Sequence, residues 1–222
     1  MQSNRSFCGP HSYRSTIRNR YRAGSQVPSP DFKLGRPLCR ACGIYDFEIP
    51  TGKTRDADVL AGFVFGTCGE GAKAETIVSE LSKNYPLDTI VQKVSIPQIR
   101  ARITLQRGDS AKTIEQLRPT EAYQFGYIAD GKPVYLRGLG YLHAKQGSQD
   151  VTEFQKILDH TAAFGASSYV SMARLGLARG LVLSGDSAKA RIAYQDFFTA
   201  WKDADPDIPI LKQAKAEYTK LN

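Results

Sequence analysis

The chain predicts an all-α fold: a tetratricopeptide-like right-handed α-solenoid of about four helix pairs plus a C-terminal capping helix. Three observations predict it. Four turn glycines, Gly69, Gly108, Gly147 and Gly185, recur at spacings of 39, 39 and 38 residues. Each lies between two stretches of helical periodicity. The peptide GDSAK occurs identically at Gly108–Lys112 and Gly185–Lys189. A helix–turn–helix unit with one apolar stripe cannot bury that stripe alone, so units of this period stack and cover each other's faces.

The clearest unit is the last. Val170, Ala173, Leu177 and Leu181 form one stripe, Gly185-Asp186 turns the chain, and Ala190, Tyr194, Phe197 and Trp201 follow at i, i+4, i+7 and i+11. Against the tetratricopeptide spacing, the first unit offers Ala61-Gly62, Phe65, Gly69, Ala74, Val78 and a closing Pro86. The second offers Ala101, Gly108, Thr113 and Leu117. Counted from Gly147, the third offers Leu139-Gly140 but sets Thr152 and Lys156 where a small and a bulky apolar residue are expected.

Two materials divide the chain: a basic leader, residues 1–53, and the repeat domain, residues 54–222. Residues 1–55 carry ten Lys/Arg against Asp31, Asp46 and Glu48, whereas residues 56–222 carry twenty against nineteen. Ser, Arg, Gly and Pro without apolar periodicity predict a mostly disordered leader. Its Arg14, Arg18, Arg20 and Arg22 beside Tyr13 and Tyr21 also suit contact with nucleic-acid phosphates and bases, and Arg/Ser-rich, acid-poor composition also suits a transit peptide. Cys8 with His11, and Cys39 with Cys42, each have the two-residue spacing of a zinc-ligand pair. The 27 residues between the pairs exceed usual finger spacings, which makes this metal reading the weaker one. Gly52-Lys53-Thr54 mimics a phosphate loop, but Phe47 stands where that loop needs glycine.

Within the repeats, helices are expected at about 56–67 and 71–84. A second pair starts near Ile96-Pro97 and ends at Arg118-Pro119, and the link Thr120–Lys132 follows. A third pair starts at Pro133, packing Leu136, Leu139 and Leu142 against Val151, Phe154 and Leu158. Asp205–Pro209 stops the fourth pair. The closing helix, Ile210 to Leu221, places Leu211, Ala214, Tyr218 and Leu221 on one face, as an end cap requires. No apolar run reaches the roughly 20 residues needed to span a bilayer. Four cysteines without an export signal argue for reduced thiols and a cytoplasmic location. The repeats contain only Cys68, so no bridge can form within them.

The stretches PLDTIVQ, IRARITLQRGDSAKTIEQLRP, PVYLRGLGYL, FQKILDH and WKDADPDIPILKQAKAEYTKL resemble the C-terminal tetratricopeptide-like region of bacterial (acidobacterial-type) serine/threonine protein kinases. The resemblance covers about Thr54 to Asn222, and Thr161–Ser168 departs from it. It implies the repeat module of a signalling protein. No kinase glycine loop, β3 lysine, HRD or DFG sequence has a counterpart here, so no catalytic residue carries over.

The expected function is therefore non-catalytic: a scaffold or adaptor that needs no cofactor and holds a protein or peptide segment in the concave groove. No GxSxG elbow accompanies the Asp159-His160 pair, and His143 has a packing position. Mapped by distance from the turn glycines, Phe63, Arg102, Tyr141 and Arg179 face the groove, with Arg137 one turn earlier and Lys145 one turn later. Cations in such a row favour an acidic segment or a C-terminal carboxylate. Replacing Arg102 and Arg179 by Glu is then expected to abolish capture while leaving helicity unchanged. The alternative reading is a nucleic-acid- or zinc-binding protein acting through the leader. Oligomeric state is not legible from the sequence.

Overall fold

The structure, a computed structural model, describes residues 54–126, 128–164 and 167–221. The leader and its candidate ligands Cys8, His11, Cys39 and Cys42 lie outside the described residues. Among the described residues every regular element is helical. In order these are α1 (Arg55–Thr67), α2 (Gly71–Asn84), a π-helical turn (Val91–Ser95) running into α3 (Ile96–Gln106), and α4 (Ser110–Gln116). A 3-10 helix (Arg118–Tyr123), α5 (Lys132–His143), α6 (Gly147–Asp159) and the short α7 (Thr161–Phe164) follow. The chain then forms α8 (Ser168–Leu183), α9 (Ser187–Ala200) and α10 (Pro209–Thr219).

Short turns join α1 to α2, α3 to α4, α5 to α6 and α8 to α9, so each pair runs antiparallel. The first helix of each pair also packs on that of the next, α1 on α3, α3 on α5 and α5 on α8. That is a stack of helix pairs, compatible with an α-solenoid. Its apolar interior is continuous from α3 to α10, with a second cluster under α1 and α2; Phe63 touches both. Of the stripes expected in the last unit, Val170, Ala173, Ala190, Tyr194 and Phe197 are buried, whereas Leu177, Leu181 and Trp201 are only partly so, and Leu175 and Ala178 take the buried places on α8. At the end of the stack, α10 buries Ile210, Leu211 and Ala214, as a cap must.

All four turns are the same object. The N–H three residues beyond the helix end reaches back to a carbonyl five residues earlier: Glu70 to Phe65, Asp109 to Thr104, Gln146 to Tyr141 and Asp186 to Leu181, at 2.9–3.0 Å. This is the Schellman motif, which needs a left-handed residue just before that N–H. Gly69, Gly108 and Gly185 supply it at φ near +80°, but in the third turn Lys145 does so at φ 57°. The expectation that Gly147 is the third turn residue is thus corrected: Gly147 opens α6. There it lets α6 approach α8, since a Cβ at Gly147 would lie 2.5 Å from the Ser184 hydroxyl oxygen. The repeated GDSAK also gains its reason. Its glycine takes the left-handed position, and its aspartate, Asp109 or Asp186, caps the next helix by accepting from the N–H of Lys112 or Lys189.

Counting from Lys145 shifts the third unit by two residues. The small position five after the turn becomes Ala74, Thr113, Asp150 and Ala190, all fully buried. The bulky position four further on becomes Val78, Leu117, Phe154 and Tyr194, again buried throughout. Thr152 and Lys156, expected there, lie on the outer side, exposed and half-buried respectively. In the first helices the small position is Gly62, Ala101, Gly138 and Ala178, so Gly138 replaces the expected Gly140.

The link after α4 is ordered by aromatic stacking and by Asp130 and Gly131, both left-handed. The Phe125 ring lies on the His160 ring, centroids 4.2 Å apart and 14° from parallel, and near Phe164. The Ser167 hydroxyl donates to Asp130 at 3.1 Å, tying this link to the start of α8.

Candidate functional site

The six expected groove residues do not form one surface. Arg102 on α3 is 1% exposed. Its guanidinium lies 4.7 Å over the Phe63 ring from α1 and engages the Tyr169 hydroxyl at the start of α8. It is an interior cation held by the Phe63 face and the Tyr169 hydroxyl, a favourable arrangement in a dry setting. Burial keeps the Tyr169 hydroxyl protonated well above its usual range, and Arg102 offsets this only in part.

Arg179 on α8 is turned toward the cap. Its Nε and Nη2 grip both oxygens of Glu217 on α10 at 2.9 and 3.1 Å. Glu217 also accepts from the Tyr194 hydroxyl and from Gln213 Nε2, each at 2.9 Å. Burial, and Glu217 beside it, push the Tyr194 hydroxyl far above the ordinary tyrosine value. This network clamps the end of the stack. Replacing Arg102 and Arg179 by Glu is therefore expected to disturb packing as well as charge.

Arg137 and Tyr141, one turn apart on α5, do come together, on the wall of a polar cleft of about 260 Å³. The 3-10 helix contributes Arg118 and Glu121, the residue just after it Gln124, and α6 contributes Glu153 and Lys156. Arg137 is 5% exposed and already committed: Nε donates to Glu153 at 2.8 Å and Nη2 to Gln124 at 2.7 Å. Lys156 Nζ donates to the other Glu153 oxygen at 2.6 Å. Glu153 is thus neutralised from both sides, a pairing that its burial requires. What remains open to a ligand at the cleft is exposed Arg118, half-buried Tyr141 and the outer face of Lys156, opposed by exposed Glu121. Lys145 sits apart, exposed on its turn.

Spacing alone missed Glu153, Gln124 and Glu217, the residues that occupy the arginines. It also missed Asp150, which the corrected register puts in a slot meant for a small apolar side chain. Asp150 is fully buried, neither oxygen has a hydrogen-bond partner, and burial pushes its carboxyl up to about 7. The Asp159-His160 pair is not coupled for catalysis. His160 Nδ1 lies 2.8 Å from the Lys156 carbonyl, and the Asp159 carboxylate accepts from Gln155 at 2.8 Å.

Among the described residues no cluster of three His, Cys, Asp or Glu is placed to hold a metal. Cys68 is buried just after the end of α1. No helix among the described residues is long and apolar enough to cross a membrane. Among the described residues, fold and site together define stacked helix pairs with a polar cleft between the second and third pairs. No family model, curated protein or solved structure matches the chain.

Proposed function

We propose that this chain is a non-catalytic protein–protein interaction module of the tetratricopeptide-like kind, of the sort its sequence resembles beside bacterial signalling kinases. The observation that carries this reading is the fourfold recurrence of one turn and one set of packing slots. Stacks of this kind present a long surface built from many helices, and long surfaces suit extended partner segments. The cleft of Arg118, Tyr141 and Lys156 is the place where an acidic side chain of such a segment finds cations at the surface. Arg102, Arg137 and Arg179 have structural work instead, which shifts the proposed contact from the row of first helices to the edge between α4, α5 and α6.

The test is a pull-down from native lysate, with the full chain, its Arg118→Glu variant and residues 54–222 as parallel baits. Capture of one partner by the full chain and by 54–222, lost on Arg118→Glu, supports the reading. Capture by the full chain alone refutes it in favour of the leader, and nucleic-acid and zinc assays then follow. Capture that Arg118→Glu leaves intact removes the cleft as the contact.

A further inference from the structure

The third helix pair carries a residue of a kind that its slot holds in no other pair. Five residues after the turn stand Ala74, Thr113 and Ala190, and in the third pair Asp150, each without exposure. Facing Asp150 across the junction is Gly180 on α8, where a Cβ would lie 1.8 Å from Asp150 Oδ1. Only glycine leaves this carboxyl room. Neither of its oxygens has a hydrogen-bond partner. An ionised carboxylate in such surroundings is costly unless a cation meets it.

No cation does. On α5, Lys132 pairs with Asp130, Arg137 with Glu153, and His143 is exposed. In the turn, Lys145 is exposed. On α8, Arg174 donates to the Val170 carbonyl of its own helix and Arg179 grips Glu217. None of these acts on Asp150: burial alone raises it, opposed only by the nearby Val151 N–H. The junction is also the tightest in the stack, with Gly147, Gly176 and Gly180 each leaving no room for a Cβ.

We infer that the α6–α8 junction is a proton-operated joint, closed across Gly180 while Asp150 is protonated and loosened when Asp150 ionises. This stands independently of the interaction reading. The pH window follows from the sign of the shift. The folded-state value of about 7 lies above the ordinary 3.8, so the unfolded chain gives up this proton first. The contribution of Asp150 to stability is therefore greatest below about pH 4, falls as pH rises toward 7 and levels off above it, where the folded-state carboxyl is ionised too.

The experiment is urea unfolding of the full chain at pH 5, 6, 7 and 8, for wild type, Asp150→Asn and the His143→Gln/His160→Gln double variant. Relative to Asp150→Asn, the wild-type unfolding constant is expected to rise about 100-fold from pH 5 to pH 8. The histidine variant is expected to keep that rise. Amide exchange at pH 6 and 8, corrected for intrinsic rates, should place the added opening in α6 and α8. An Asp150→Asn slope equal to wild type overturns the inference, as does a slope that vanishes with the histidines. Should the asparagine variant not fold, Asp150→Ala takes its place, since alanine fills this slot in the first and fourth pairs.

Discussion

Phe154 is the side chain through which α6 grips both neighbours, and its replacement gives a test whose sign changes with background. The ring is fully buried between two glycines. A Cβ on Gly138 of α5 would lie 2.8 Å from its Cε1, and one on Gly176 of α8 would lie 2.5 Å from its Cζ. Phe154→Ala removes the ring and leaves a cavity where both helices are at their closest, a loss of about 3–5 kcal/mol. At about 2–4 °C per kcal/mol for a chain of this size, the melting temperature falls by roughly 6–20 °C. Gly176→Ala alone drives a methyl into the ring, and overpacking of this kind costs about 1–3 kcal/mol. In the Phe154→Ala background the same methyl enters the vacated space. There alanine's helix propensity, about 1 kcal/mol better than glycine's, makes the substitution stabilising. The four proteins form a double-mutant cycle, followed by urea unfolding with far-UV circular dichroism at one fixed pH, with an expected coupling of about 2–4 kcal/mol. Equal effects of Gly176→Ala in the two backgrounds would falsify the wedge, whatever the single losses are.

Other substitutions test other parts of the stack. Lys145 holds φ at 57° where the equivalent turns use glycine, so Lys145→Gly is expected to stabilise the fold by about 1 kcal/mol in urea unfolding; a loss of stability would mean that its side chain, not its backbone, matters there. Glu217→Gln weakens acceptance from Arg179, Tyr194 and Gln213 at once, for a cost of about 1–3 kcal/mol, with faster amide exchange expected first in α10. Unchanged α10 protection would show that Ile210, Leu211 and Ala214 hold the cap without the clamp. Asp186→Ala removes a helix cap and should cost about 1 kcal/mol, whereas Gln146→Ala, at a cap with no side-chain bond, should cost much less.

The elements were largely legible from local chemistry, because what defines them is local. Helix periodicity, a left-handed glycine and a capping aspartate act over a few residues, and the α2 bounds Gly71–Asn84 match the spacing residue for residue. The third turn shows where that legibility stops. Gly147 looks like a turn residue because glycine usually takes the left-handed place, but the chain uses Lys145 and reserves Gly147 for close approach to Ser184. Glycine serves both purposes, and a sequence does not mark which. The two-residue slip carried through to the site. It placed Tyr141 level with Arg102 and Arg179, whereas Leu139 is the residue at that height, fully buried. It hid Asp150 on an apparently outward position and so concealed the one unpaired buried acid of the α6–α8 junction. The occupancy of the arginines was out of reach for a different reason. Glu217 is 38 residues from Arg179 and Glu153 is 16 from Arg137, so their pairing exists only once the helices have stacked. A row of cations at helical spacing thus says that charge is present. Whether it is free depends on acids contributed by neighbouring elements. Here stacking takes Arg137 and Arg179 into ion pairs and sets Arg102 over an aromatic ring, which leaves Arg118, on the 3-10 helix outside any periodic stripe, and the outer face of Lys156 as the cations the cleft can offer.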